Sequence, residues 1–162
     1  MPSPTKPQLL PSPELDIEIQ YASNTIEQSL AAIASSALMK KWAKAAIHRD
    51  GLITLRFVNP SEGRKLNFAF RKKDKPTNVL TFSYSLTKKV VVADIIFCLP
   101  VIQKEAREQG KMIKAHLAHL IIHGCLHAQG LNHENNIEAQ KMEKQEISIF
   151  KSLGFGNPYL AI

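Results

Sequence analysis

Five of the six histidines in the chain fall within residues 116–133, and their spacing constrains the fold more than any other feature. His123 and His127 are four residues apart, so on a helix they lie on the same face. Gly130 follows where a glycine can end that helix, because glycine tolerates the left-handed conformation after a C-terminus. The chain can then turn back and bring His133 to the same point. The spacing predicts a metal site with three nitrogen ligands and an open position.

The residue that follows His123 limits which reactions the predicted metal site can catalyse. The His-x3-His-x2-Gly-x2-His spacing is the ligand pattern of the metzincin proteases, which carry a Glu there as the general base. In this chain the position is Gly124, which has no group that can take a proton. A metal can still activate water or polarise a phosphoryl oxygen without that Glu. The motif therefore favours a metal hydrolase and argues against a protease.

The remaining histidines and the cysteines are not predicted to be ligands. His116 and His119 lie on the same helical stripe as the ligand pair, and His119 is one turn before the first ligand. We interpret His119 as a group that supports a ligand or contacts substrate. His48 lies in a turn-like segment and is expected to be exposed. Cys98 and Cys125 are expected to be small buried residues.

The net charge of +7 is concentrated in the middle of the chain. Residues 61–115 contain 12 Lys and Arg against 5 Asp and Glu, whereas the other residues balance at 9 against 9. A basic block beside a metal site indicates an anionic partner, with nucleic acid the first candidate. The alternative is a set of solvated lysines that only aid solubility.

Composition places the chain among ordinary globular proteins. It has 162 residues, 44% apolar and 22% charged, enough for one domain with a buried core. No apolar run approaches the roughly 20 residues that cross a bilayer, and the N-terminus lacks the apolar segment of a secretory signal. Two cysteines do not form a disulfide framework and suit a reducing compartment. We therefore expect a cytoplasmic protein.

Periodicity and turn residues predict an α/β (α+β) domain. The expected fold is a small, mostly parallel, mixed four-stranded sheet packed with about five helices, one of them a zincin-like metal helix. Residues 1–13, rich in proline, are expected to form a flexible tail, and 14–162 a single metal-dependent hydrolase domain. The strand at 90–99 is apolar on both faces except at Asp94, so we expect it inside the sheet. The other predicted strands are at 15–22, 52–59 and 79–84, and the helices are at 26–47, 60–70, 100–109, 111–129 and 136–153.

Four aromatic residues of the basic block have two possible roles. Phe68, Phe70, Phe82 and Tyr84 could stack on unpaired bases. Their helix and strand patterns favour a place in the core for most of them, and Ala69 is expected to face inward with Phe70.

The histidine stretch resembles a known signature. His123-Gly-Cys-Leu-His127-Ala-Gln-Gly130-Leu-Asn-His133 is similar to the His-Gly-x-Leu-His-x-x-Gly-Tyr-Asp-His signature of the YbeY family of bacterial rRNA maturation endoribonucleases. The segments 66–82, 93–96 and 153–159 resemble further blocks of that family, so the resemblance covers about residues 50–160. The chain departs from the family pattern at Leu131 and Asn132, which replace Tyr-Asp, and at Ala93, which replaces Gly.

This resemblance implies a single-strand-specific, zinc-dependent endoribonuclease that acts in maturation of the 3′ end of 16S rRNA and in ribosome quality control. By position, His123, His127 and His133 would hold one zinc ion, and Arg71 would be the catalytic residue that faces the metal and the RNA backbone. The implied partners are single-stranded RNA, the small ribosomal subunit and its assembly factors. No membrane and no small-molecule cofactor is expected. Asn132 keeps a polar side chain but lacks the carboxylate that could orient a ligand.

The residues themselves are compatible with this chemistry. Phosphodiester cleavage concentrates negative charge on non-bridging oxygens, which a Lewis-acid metal and a bidentate guanidinium stabilise. Two alternatives stay open: a metallopeptidase with a zincin-like site, and a non-catalytic ribosome-assembly factor with a structural zinc. The attacking group, either water or the ribose 2′-hydroxyl, also stays open.

Overall fold

A sheet of four strands with helices packed against it forms the fold. The computed structural model describes residues 14–159, so the tail predicted at 1–13 lies outside the described residues. The strands are β1 (Leu15–Tyr21), β2 (Asp50–Val58), β3 (Val79–Leu86) and β4 (Val90–Cys98). The helices are α1 (Asn24–Ala31), α2 (Ser36–Ala46), α3 (Pro60–Arg71), α4 (Leu99–Gln109), α5 (Ile113–Ala128) and α6 (Asn136–Ser152).

The strand order β1-β2-β4-β3 explains why β4 is so apolar. β1, β2 and β4 are parallel, and β3 pairs antiparallel with β4 at one edge. Ile95 and Phe97 of β4 are fully buried, as expected for an inner strand covered by helices. The partner of Asp94, which spacing alone did not reveal, is the hydroxyl of Tyr84 at 2.8 Å. The predicted mostly parallel four-stranded sheet, with this strand inside it, is confirmed.

The helix predicted at 26–47 is wrong in one respect, because the segment forms two helices. The hydroxyl of Ser35 accepts a hydrogen bond from the backbone N–H of Leu38 at 3.1 Å and caps α2. The break between α1 and α2 lets Leu30, Met39 and Trp42 all reach the core. Residues 14–159 therefore contain six helices rather than about five.

The inward face of α3 also differs from the expectation. Gly63 and Asn67 are its buried residues, and Ala69 is exposed. A Cβ added at Gly63 would contact Cys98 of β4 at 3.6 Å, so α3 lies close against the sheet there. The side-chain amide of Asn67 donates to the carbonyl of Lys75 at 2.7 Å and ties the following loop to the helix.

Most of the four aromatic residues are not in the core. Phe68 is 53% exposed, Phe70 64% and Tyr84 67%, whereas Phe82 is half-buried. The expectation is wrong for Phe68 because it lies on the opposite face of α3 from Gly63 and Asn67. Phe70 shares their stripe but lies in the last turn of α3, where it packs on Phe82 of the edge strand, and Tyr84 lies at the far, open end of that strand. Much of each of these three side chains stays open to solvent.

Helix α5 forms the centre of the molecule. It contacts β3 and β4 on one side and α2, α4 and α6 on others, and most of its residues are buried. These neighbours hold the histidine-bearing face of α5 in place. Within residues 14–159, each helix is too short or too polar to cross a membrane.

Candidate metal centre

The end of α5 folds as the glycine spacing predicts. Gly130 has a φ of 96°, which a residue with a side chain rarely adopts. The backbone N–H of Leu131 bonds back to the carbonyl of Leu126 at 3.3 Å, as in a Schellman cap. This turn reverses the chain and carries His133 back beside α5.

The three predicted ligands come together. The ring centroids are 6.3 Å apart for His123 and His127, 5.6 Å for His123 and His133, and 6.1 Å for His127 and His133. A tetrahedral zinc ion with Zn–N distances of about 2 Å would hold the centroids roughly 5 Å apart. Within residues 14–159, no group of three His, Cys, Asp or Glu side chains already has the geometry of a formed metal site. The centroids are thus roughly 1 Å farther apart than around such an ion.

Hydrogen bonds fix the tautomers of two of these rings. His127 Nδ1 lies 2.8 Å from the carbonyl oxygen of Leu131, and His123 Nδ1 lies 2.7 Å from Oε2 of Glu146. A carbonyl and an ionised carboxylate only accept, so each Nδ1 carries the proton. In the neutral form of each ring, Nε2 then keeps its lone pair. Such support through Nδ1 is typical of metal-binding histidines, so the donor set fits a metal ion.

Glu146 is the buried anion behind the three rings. Its side chain is 1% exposed, His119 Nε2 lies 3.2 Å from Oε2, and the hydroxyl of Tyr159 donates to Oε1. Burial opposes its ionisation, but the contacts from His119, His123 and Tyr159 outweigh it and lower the pKa of Glu146 to about 2. The carboxylate is therefore charged at neutral pH.

The electrostatics also keep His127 neutral. Desolvation lowers its pKa, and the neighbouring His123, His133 and Arg71 lower it further, against the opposite effect of its bond to the Leu131 carbonyl. A neutral imidazole is the form that binds a metal.

Gln129 anchors the turn that carries His133. Its amide nitrogen donates to the carbonyls of Ala46 at 2.6 Å and Cys125 at 3.1 Å. Its amide oxygen accepts from the backbone N–H of His48 at 3.1 Å and from Arg49 at 3.0 Å. Three of these four bonds join the end of α5 to the end of α2 and the α2–β2 connection.

Gly124 marks the closest approach of α5 to the sheet. A Cβ at this position would lie 2.7 Å from Cγ2 of Ile95 and 3.5 Å from Val79. A protease-type Glu here would be directed into β3 and β4 rather than toward the three rings. The glycine is therefore needed for packing.

The three rings form one wall of an open cleft of about 860 Å³. The other walls are the end of α3, the edge strand β3 and the 132–134 turn. Arg71, the predicted catalytic residue, is exposed and lines this cleft beside Phe70. The structure therefore brings Arg71 to the same cleft as His123, His127 and His133.

The other predicted polar residues differ in their relation to the cleft. Buried His116 contacts Glu105 at 3.0 Å, and Glu105 accepts from the side chain of Asn78, which lines the cleft. Asn132 also lines it, but its side-chain oxygen accepts from the backbone N–H of Glu134 at 3.1 Å. Asn132 thus shapes its own turn and orients none of the three rings through that oxygen. His48 is exposed, as expected.

Sequence reasoning missed two residues of this centre, Glu146 and Gln129. A signal for Glu146 was present, since it lies four residues from both Met142 and Phe150, the other buried residues of α6. A carboxylate on a buried stripe needs a partner. Gln129 gave no such signal, because its partners Ala46 and His48 are some 80 residues away in the chain.

Comparisons with known proteins identify the family and the fold of the chain. The family model described as Endoribonuclease YbeY matches residues 16–154. The Endoribonuclease YbeY of Polynucleobacter asymbioticus is 65% identical over 147 residues, which cover 91% of this chain and 95% of that protein. The Endoribonuclease YbeY of Burkholderia pseudomallei is 48% identical over 149 residues, 91% of this chain and 81% of that protein. The solution structure of TM1509 from Thermotoga maritima shares the fold, with a TM-score of 0.53 and 24% identity over 89% of this chain and 99% of that one. The chain belongs to the endoribonuclease YbeY family.

Proposed function

We propose that the chain is a zinc-dependent endoribonuclease that cuts single-stranded RNA, acting in maturation of the 3′ end of 16S rRNA and in ribosome quality control. Its family supports the assignment to endoribonucleolytic RNA processing. The observation that carries the active-site assignment is one cleft lined by Arg71 and by three imidazoles, two of which have a free Nε2.

The roles of the residues follow from their contacts. His123 and His127 would hold one zinc ion through Nε2, together with the ring of His133. When bound, zinc supplies a Lewis acid that polarises a phosphoryl oxygen and lowers the pKa of water. Arg71 would bind two non-bridging oxygens of the scissile phosphate at once and stabilise the charge that develops there.

The charge next to the cleft supports an RNA substrate. Exposed Lys72 and Lys73 directly follow Arg71 and add positive charge where the strand would enter. Arg64 is different, because Asp74 binds its guanidinium at 2.6 and 2.9 Å. An open cleft with exposed Phe70 at its rim suits unpaired nucleotides. Their bases can turn out of the base stack and contact the protein.

We further propose that the protein works in the cytoplasm with the small ribosomal subunit and its assembly factors. Its substrate lies there, and both cysteines are free and buried, as suits a reducing compartment.

Two alternatives fit the cleft less well. A metallopeptidase would need its general base at position 124, where Gly124 packs against Ile95. A structural zinc in a non-catalytic assembly factor would not require a cleft open to solvent or an exposed Arg71 on its wall.

The test is a substrate comparison on the purified, zinc-loaded protein. We expect it to cut a single-stranded RNA that carries the 16S 3′ end, to cut the same sequence in a duplex much more slowly, and to leave casein intact. A protein that cleaves casein and leaves the single strand intact would overturn the proposal. Replacing the ribose at the cut position by deoxyribose identifies the attacking group, since undiminished cutting excludes the 2′-hydroxyl.

A further inference from the structure

We propose that Phe70 is a substrate-positioning residue, which stacks on an unpaired base adjacent to the scissile phosphate. This inference rests on the proposed function and deepens it, because it assigns a nucleobase subsite that neither the metal ligands nor Arg71 provides.

Phe70 has an unusual environment for a phenylalanine. Its side chain is 64% exposed on the last turn of α3. One contact fixes it: the ring packs at an angle of 61° against Phe82 of β3, with the centroids 4.5 Å apart. Such an edge contact holds the ring while most of its surface stays open to the cleft.

The neighbours of Phe70 indicate which ligand it would meet. Arg71 is the next residue in the chain, and both side chains line the cleft that also contains His123, His127 and His133. In a single-stranded nucleic acid each phosphate is flanked by a base. A phosphate held between Arg71 and the histidines therefore places a neighbouring base at the Phe70 wall.

The chemistry of this wall suits a base of any identity. Stacking on an aromatic ring depends little on the identity of the base, because every base has a π face. Arg71 lines the cleft beside the ring, and exposed Lys72 and Lys73 follow it in the chain, so a polyanionic strand is the occupant that matches both the ring and its charged neighbours.

A second exposed ring on the same helix provides a matched control. Phe68 is 53% exposed, but it lines a separate hollow formed with Arg64, Lys65 and Asp74. It has a similar size and exposure and is not part of the cleft. Its substitution therefore changes a similar amount of exposed apolar surface without touching the proposed subsite.

The experiment compares Phe70→Leu, Phe70→Tyr and Phe68→Leu under single-turnover conditions with a labelled single-stranded RNA. The half-saturating protein concentration is measured for each variant. We expect Phe70→Leu to raise it roughly 5- to 100-fold, the loss typical of one base stack. Phe70→Tyr keeps an aromatic face, so we expect it and Phe68→Leu to stay within about twofold of wild type. Because Phe70 and Phe68 are exposed, all three variants should keep the wild-type melting temperature.

An abasic strand shows whether the lost contact is with a base. Once the cut position is mapped, the base on each side of it is removed in turn. For one of these abasic strands, the affinity of the wild-type protein should fall to the affinity that Phe70→Leu has for the intact strand. Phe70→Leu itself should bind this abasic strand as well as it binds the intact one. If wild type cuts the RNA but Phe70→Leu binds equally well, or loses affinity equally for intact and abasic strands, the stacking inference is overturned and the proposed function stands. A wild-type protein that does not cut single-stranded RNA would overturn both.

Discussion

The buried carboxylate of Glu146 should control how tightly His123 binds a metal. It is 1% exposed and accepts hydrogen bonds from His123 Nδ1 at 2.7 Å and from the hydroxyl of Tyr159. Glu146→Gln keeps the shape of the side chain but removes its charge. The new amide has one accepting oxygen where two donors now converge, so its NH2 group must face one of them.

The size of the effect follows from this geometry. A hydrogen bond to a charged group contributes about 1.5–3 kcal/mol, and Glu146→Gln replaces this charge-assisted bond to His123 by a weaker bond to a neutral amide. Loss of a group that supports a metal-binding histidine typically weakens metal affinity about 10- to 100-fold. That range corresponds to about 1.4–2.8 kcal/mol, close to the value of the lost bond. We therefore predict a 10- to 100-fold weaker zinc affinity for Glu146→Gln.

The assay is chelator competition for zinc, with the fold monitored by circular dichroism. Glu108→Gln provides the control, because it makes the same charge change at an exposed position of α4. Tyr159→Phe removes a hydroxyl that contacts Glu146 without touching His123, so we expect a loss of affinity smaller than that of Glu146→Gln. A natively folded Glu146→Gln protein whose zinc affinity is within about twofold of wild type would refute the reasoning.

Three further predictions concern packing, the turn and the charge at the cleft. Gly124→Ala places a Cβ 2.7 Å from Ile95, which should cost about 1–3 kcal/mol through overpacking. This cost should offset or exceed the gain of about 1 kcal/mol in helix propensity, so the free energy of unfolding measured by urea denaturation should not rise. A more stable variant would contradict the close packing. Gln129→Leu removes four hydrogen bonds and leaves buried backbone groups without partners, so the free energy of unfolding should fall by roughly 2–4 kcal/mol. A fall of less than about 0.5 kcal/mol would contradict the anchoring role of Gln129. If the three cationic residues from Arg71 to Lys73 each neutralise one phosphate, the logarithm of RNA affinity should fall with the logarithm of salt concentration with a slope of about −2; a slope near zero would exclude these contacts.

The parts of the site that sequence predicts are those set by local geometry. His123 and His127 share a helix face because of the 3.6-residue repeat, and Gly130 must reverse the chain because of its backbone freedom. The same local logic predicts the sheet, since an apolar strand such as β4 has to lie between other strands.

The parts that sequence does not predict depend on which faces meet in three dimensions. The periodicity of 26–47 continues across Ser35, so the pattern alone cannot show that the chain breaks there to bury Trp42. Phe70 has the spacing of an inward residue and shares the stripe of Gly63 and Asn67, yet it lies in the last turn of α3, where it packs on the edge strand and stays 64% exposed. Gln129 acquires its role from a segment that only the folded chain brings near.

The central claim is that the three histidines hold a metal that works with Arg71 on RNA phosphate. Zinc content and single-strand cleavage, measured together on wild type, Arg71→Ala and His127→Ala, test it most directly. We predict that Arg71→Ala keeps one zinc per chain and loses cleavage, because Arg71 is not a ligand, and that His127→Ala loses both. An Arg71→Ala protein that still cuts RNA at the wild-type rate, or a His127→Ala protein that cuts without bound zinc, would contradict the claim.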